Sequence, residues 1–138
     1  MSTQTFRREI DEVLARREKL KRLNARLWRF LAKWEPRLAV HVSSWRITDA
    51  KQYWATTDGN KSEIWFAADL ADMPPAFVEV IVVYTLAHHR SAGHESDFFA
   101  LMDEHLPGWR DIHGKYGKVR RPRGMVEVCS AEHLMEVQ

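Results

Sequence analysis

The chain of 138 residues has a single cysteine, Cys129. A lone thiol excludes an intramolecular disulfide and any Cys-x-x-Cys metal knuckle. It fits a reducing compartment. No apolar run approaches the ~18 residues of a membrane-spanning helix, so no membrane partner is expected. The charged-then-apolar pattern of a signal peptide is missing from the first residues, and the expected location is the cytoplasm. No internal repeat is present. The length suits one domain and leaves little room for a second. The expected organisation is a single domain over 1–117, including a long N-terminal helix, followed by a basic arm over 118–138.

What the chain does contain is apolar and aromatic mass, with 45% hydrophobic residues and six Trp. Such a composition supports one sizeable soluble core. Net charge is only +2, but it is unevenly spread. Residues 1–35 hold ten basic and five acidic side chains, and 114–123 (GKYGKVRRPR) hold five basic and none acidic. Residues 36–113 hold six basic against eleven acidic. Basic ends of this kind meet phosphate backbones or acidic protein surfaces. They are equally the ordinary solvated faces of a helix and a tail.

Phe6, Ile10, Val13, Leu14, Leu20, Leu23, Leu27, Leu31 and Trp34 recur at three- and four-residue steps, which predicts an amphipathic helix over 4–34. Thr3 or Thr5 would cap it, Glu18 and Arg22 would pair across one turn, and Pro36 would stop it. Leu38 to Ile47 alternates as a strand, with a phase shift that predicts a bulge near Ser43–Ser44. Tyr53–Thr57 and Ser62–Phe66 read as two further strands joined by the turn Asp58-Gly59-Asn60. Together they predict a small, mostly antiparallel sheet. After Pro74-Pro75, the run FVEVIVVYTLAHH has strand propensity but the length and proline lead-in of a buried helix; helix is the favoured reading. A helix over 94–105, a short helix over 109–116 and a stray edge strand at Met125–Val128 complete the expectation. The predicted class is α+β, with a short antiparallel sheet packed on helices.

The stretch from about Leu27 to Gly117 resembles the YgjP-like metallopeptidase domain, a relative of the SprT-like zinc proteases. Trp54-Ala55-Thr56-Thr57 stands where the family has a Trp-Gly-Ser-Cys-like segment, keeping only the Trp. Ile64 and Leu70 hold their places at the strand exit. Met73 to Val83 matches the lead-in to the active-site helix. Tyr84-Thr85-Leu86-Ala87-His88 then stands in place of His-Glu-Leu-x-His, Gly93 to Phe99 in place of Asn-His-Ser-x-x-Phe-Trp, and Pro107-Gly108-Trp109 closes the series. The resemblance implies a small zincin-like fold.

The family chemistry needs two imidazoles four residues apart on one helix face, a third His, and a Glu beside the metal-bound water. Tyr84 occupies the first ligand position, and a phenol with an ordinary pKa near 10 is a poor zinc ligand. Thr85 occupies the base position, and its hydroxyl is no general base near neutral pH. By resemblance, His88 and His94 remain as metal ligands, a weak pair that Glu95 or Asp97 would have to complete. His89 should point elsewhere, and His41 and His113 cannot be placed from the sequence. Either zinc still binds through His88 and His94, or these positions are satisfied by hydrogen bonds while Tyr84 fills the ligand space. Trp45, Trp54, Trp65 and Trp109 would line the old substrate groove or, more simply, build the core, and Arg46 and Lys51 would face that cleft or solvent.

Three functions follow as expectations. The first is a catalytically inactive binding module for an acidic partner, whether nucleic acid, ribonucleoprotein or protein. Its contacts would be Lys115, Tyr116, Lys118, Arg120, Arg121 and Arg123, with Arg forking onto phosphate and Tyr116 stacking on a base. The second is a zinc-dependent hydrolase with an atypical ligand set. The third makes the first helix an oligomerisation element.

Overall fold

The structure, a computed structural model, describes residues 3–57, 63–91 and 95–116. Its first element is a helix, α1, over Thr3–Leu38. The apolar stripe read from the sequence divides into two halves. Leu23, Leu27, Leu31, Trp34 and Leu38 are buried, each worth about 1.5–3 kcal/mol against exposure. Phe6, Ile10, Val13 and Leu14 are exposed. Arg16 pairs with Asp49 and Lys19 with Asp72, so the helix is tied to the body from its middle onward. Glu18 pairs with Lys21 at 3.7 Å, not with Arg22 as the i,i+4 spacing suggested.

Pro36 does not stop α1 but lies inside it. A proline deprives the helix of one N–H. Its exposed position makes that a small loss, because the helix closes two residues later. Closure is a Schellman arrangement. Val40 N–H donates to the Glu35 carbonyl at 3.0 Å, Ala39 N–H donates to the Pro36 carbonyl at 3.4 Å, and Ala39 sits at φ 56°. Leu38 is therefore helical rather than the start of a strand. Val40 and Val42 are buried without belonging to a sheet. The Glu35 carboxylate accepts from Val42 N–H at 3.0 Å, and Arg90 donates to the Leu38 carbonyl at 2.8 Å, so this corner is pinned from both sides.

The strands are β1 (Ser44–Thr48), β2 (Ala55–Thr57) and β3 (Glu63–Ala67), in the order β1-β3-β2. β2 pairs antiparallel with β3, but β1 pairs parallel with it, from Ser44 opposite Glu63 to Thr48 opposite Ala67. The sheet is thus mixed rather than antiparallel throughout. From β1 the chain passes to the far edge of the sheet as β2 and then turns back into the centre as β3, and the connection from β1 to β3 is long enough for parallel pairing. The bulge expected at Ser43–Ser44 is instead the point where β1 begins. The Asp58-Gly59-Asn60 turn lies outside the described residues.

A single 3-10 turn, Ala68–Asp72, leads to α2 (Pro75–Arg90), followed by α3 (Glu95–His105) and α4 (Trp109–Tyr116). α2 is the helix that its β-branched content argued against. Eleven of its 16 residues are buried, which suits a helix apolar on all sides. Pro75 in its first turn costs no hydrogen bond. Glu79 joins α2 to α1 by accepting from Lys33 Nζ and Trp34 Nε1, each at 2.8 Å. The α+β class and the long first helix stand as expected. No helix among the described residues is long and apolar enough to cross a membrane.

Ala39 is the one described non-glycine residue at positive φ. Ala39→Gly should stabilise the protein by about 0.5–1 kcal/mol, the left-handed strain relieved less the added chain entropy. The check is a higher urea midpoint at an unchanged denaturant slope.

Candidate active site

Residues 84, 85 and 88 sit in the second half of α2, where the helix is covered by α3 and α4. Tyr84 and His88 are one turn apart on the same face, with ring centroids 6.0 Å apart. Both are buried. The Tyr84 ring stacks on His113 from α4 at 4.9 Å with planes 6° apart. It meets Phe98 edge-on at 4.7 Å and Trp109 at 5.6 Å. His88 lies 4.9 Å from Phe98. The first ligand position of the motif is therefore filled by a phenol packed among four aromatic or imidazole rings, with Phe99 behind them against Phe98 and Trp109.

Thr85, at the position of the catalytic base, is fully buried. Its hydroxyl donates to the Ile81 carbonyl one turn back at 2.8 Å.

His113 was unplaceable from sequence, and the structure brings it to Tyr84. The available signal was local. Trp109 and His113 are four apart on a short helix and present one face, with rings 5.8 Å apart. His105 lies against Trp34 at 6.1 Å. His41 is 87% exposed and 3.7 Å from Glu35. His89 follows His88 by a 100° turn and is half-buried. His94, Lys118, Arg120, Arg121, Arg123 and Met125–Val128 lie outside the described residues. Lys115 and Tyr116 close α4, with the lysine ammonium 5.2 Å above the tyrosine ring and that ring 6.0 Å from Phe77. Of the tryptophans expected at a groove or in the core, Trp54 and Trp109 are buried, and Trp45 and Trp65 are half-buried. Lys51 binds Asp69 at 3.1 Å, and Arg46 is exposed 3.9 Å from Glu63.

Trp109 is held in turn by Asp103, which accepts from its Nε1 at 3.0 Å and from Arg110 at 2.6 Å. The indole hydrogen bond, followed by the guanidinium, keeps the Asp103 carboxyl below the ordinary carboxylate value of 3.8. Because the folded-state pKa is lowered, the stability this group adds is complete above 3.8 and is lost as pH falls through the lower native value. Asp103→Asn should melt below wild type at neutral pH, with the gap closing as pH is taken under 3.8.

A small α+β body whose apolar, proline-led helix carries a motif-spaced His defines a metallopeptidase-like domain. Comparison with known families matches residues 2–115 to the YgjP-like, metallopeptidase domain, and the chain belongs to that family. No curated protein matches the chain significantly, and no solved structure does. Family membership implies zinc. Among the described residues no three His, Cys, Asp or Glu side chains converge as a metal site, and a packed phenol stands at the first ligand position; His94, expected beside His88, lies outside those residues.

If the base position is now core, it should tolerate apolar substitution and resist charge. Thr85→Val should cost about 1 kcal/mol or less, the worth of one back-bonded hydroxyl. Thr85→Glu should cost about 3 kcal/mol or more, because it buries an uncompensated carboxylate. Paired denaturant melts measure both.

Proposed function

We propose that this chain is a catalytically silent YgjP-like domain that serves as a binding module for an acidic partner, whether nucleic acid, ribonucleoprotein or an acidic protein. One observation carries the silence. Tyr84 and Thr85 stand where a ligand and a base are needed, and both are absorbed into packing and helix hydrogen bonding. Without a base, hydroxide attack on a carbonyl has no proton acceptor at that position.

The partner chemistry is supported by α1. Arg7, Arg8, Arg17, Arg22 and Arg29 are exposed and make no ion pair among the described residues. Arg22, Arg26, Arg29 and Lys33 follow one another at four-, three- and four-residue steps, so they form a basic row along one flank of α1, its last member engaged by Glu79. Such a row is suited to neutralising successive negative charges. The sequence from Lys115 to Arg123 adds five further basic residues. A single cysteine fits residence in the reducing cytoplasm.

A second reading, a zinc hydrolase with an atypical ligand set, draws support from His113, which meets the same tyrosine as His88. Metal analysis of chelator-free protein separates the two. The silent reading expects under about 0.1 zinc per chain and no peptide hydrolysis. Stoichiometric zinc that His88→Ala abolishes would overturn it. The partner half of the proposal expects retention on immobilised RNA that falls by about 10³-fold or more between 50 and 200 mM salt. Retention indifferent to salt and nuclease would overturn that half alone.

A further inference from the structure

The groove between α1 and β1 lies away from Tyr84 and belongs to neither half of the motif. β1 is an edge strand, hydrogen-bonded to β3 and to no other described strand. Along that edge run two cavities of about 540 Å³ each, which share Asn24 and Ile47. Residues 43–47 form one wall, and Asn24, Trp28 and Leu31 of α1 form the other. Arg17 and Lys21 carry the groove on along the helix.

Trp28 is the most exposed large hydrophobic side chain of the molecule's described part, at 60%. It is also fixed. Its ring meets Trp45 edge-on at 5.6 Å, and Trp45 meets the fully buried Phe66 at 6.0 Å. A ring that is exposed yet seated on a chain of rings reaching the core is pre-positioned, so little ordering is needed for another flat group to stack on it. The charged side chains lining the groove are Arg17, Lys21, Arg46 and Glu35, and Glu35 is engaged by Val42 N–H. Lys21 also lies 3.7 Å from Glu18 and Arg46 3.9 Å from Glu63, loose exposed pairs that cost little to exchange for a phosphate.

We propose that this groove binds single-stranded nucleic acid, with Trp28 as the base-stacking platform and Arg17, Lys21 and Arg46 as phosphate contacts. The proposal rests on the reading of the partner as acidic and gives that partner a site. Single-strand grooves combine these two features, a basic track and an aromatic face that any base can stack on. From Arg17 to Leu31 α1 runs about 21 Å, room for about four nucleotides, the short end of known single-strand footprints. Two other occupants fit less well. A second copy of the chain would set the same basic rim against itself across a twofold axis. A peptide adding a strand to β1 would meet an edge of only five residues with Arg46 on it, the usual defence of an edge against pairing.

The test uses the full chain and a labelled 12-nucleotide oligouridylate, read by anisotropy and by tryptophan fluorescence at low salt. Wild type should bind with quenching. Trp28→Ala should weaken binding about tenfold or more, and Trp28→Phe by about threefold or less. Arg17→Glu with Lys21→Glu should weaken it at least about tenfold and flatten the salt dependence. All three changes lie on an exposed face, and matched thermal melts confirm folding. Should Trp28→Ala melt low, Trp28→Phe and the charge reversal carry the comparison. Oligonucleotide binding that all variants retain would overturn the groove and leave a nucleic-acid partner standing. Binding of polyglutamate but of no oligonucleotide would overturn the groove and leave an acidic protein partner. Binding of neither would remove both.

Discussion

Everything in this domain is arranged around the requirement that α2 be covered on all sides. Its Val, Ile, Leu and Phe residues face every direction, so no orientation leaves a polar stripe for water. The second half of α1 covers one side, β2 and the sheet another, and α3 with α4 close the rest. Two polar links set how α1 lies on it. Glu79 takes hydrogen bonds from Lys33 and Trp34, and Arg90 reaches the carbonyl at the end of α1. The Schellman turn at Ala39 depends on that same corner, so helix termination and helix packing are one event.

This covering also determines what became of the motif. A zinc peptidase helix with two histidines needs that face open enough for a metal, a water and a substrate. Here α3 and α4 bring Phe98, Trp109 and His113 onto that face, and Tyr84 joins them as one more ring. Asp103 fixes the indole of Trp109 and thereby the wall against which Tyr84 rests. A phenol can be accommodated at a former ligand position because its neighbours are aromatic and offer edge and face contacts. The proposed silence of the site and the stability of the core are thus the same packing.

The unused remainder of α1 explains why the basic charge lies where it does. The helix contributes five buried residues to the core from its second half and leaves its first half with an exposed apolar stripe. The groove beside β1 lies along the flank of α1 that carries Arg17, Lys21, Asn24 and Trp28. A binding surface there is independent of the motif helix, so loss of chemistry at Tyr84 and Thr85 would leave it intact.

The elements most legible in the sequence were those with long periodic signals or proline punctuation: α1, the start of α2, and the breaks before α3 and α4. The order of the motif fragments was enough to point to the family, because each fragment is tied to an element boundary. Less legible were Pro36 inside α1 and the direction of β1. Both depend on partners remote in sequence: Arg90 at the helix end, and β3 beside the strand. His113 could not be placed because a side chain on a short helix has no register until that helix packs.

The sequence by itself determined that no His-Glu-x-x-His motif exists, since identity at positions 84 and 85 is not a matter of conformation. Only the tertiary structure decided what those two residues do instead. A buried threonine hydroxyl finds the nearest carbonyl one turn back, and a buried tyrosine ring finds whatever rings α3 and α4 deliver. Those choices are made by packing, and packing is a property of contacts between segments that the linear order does not contain.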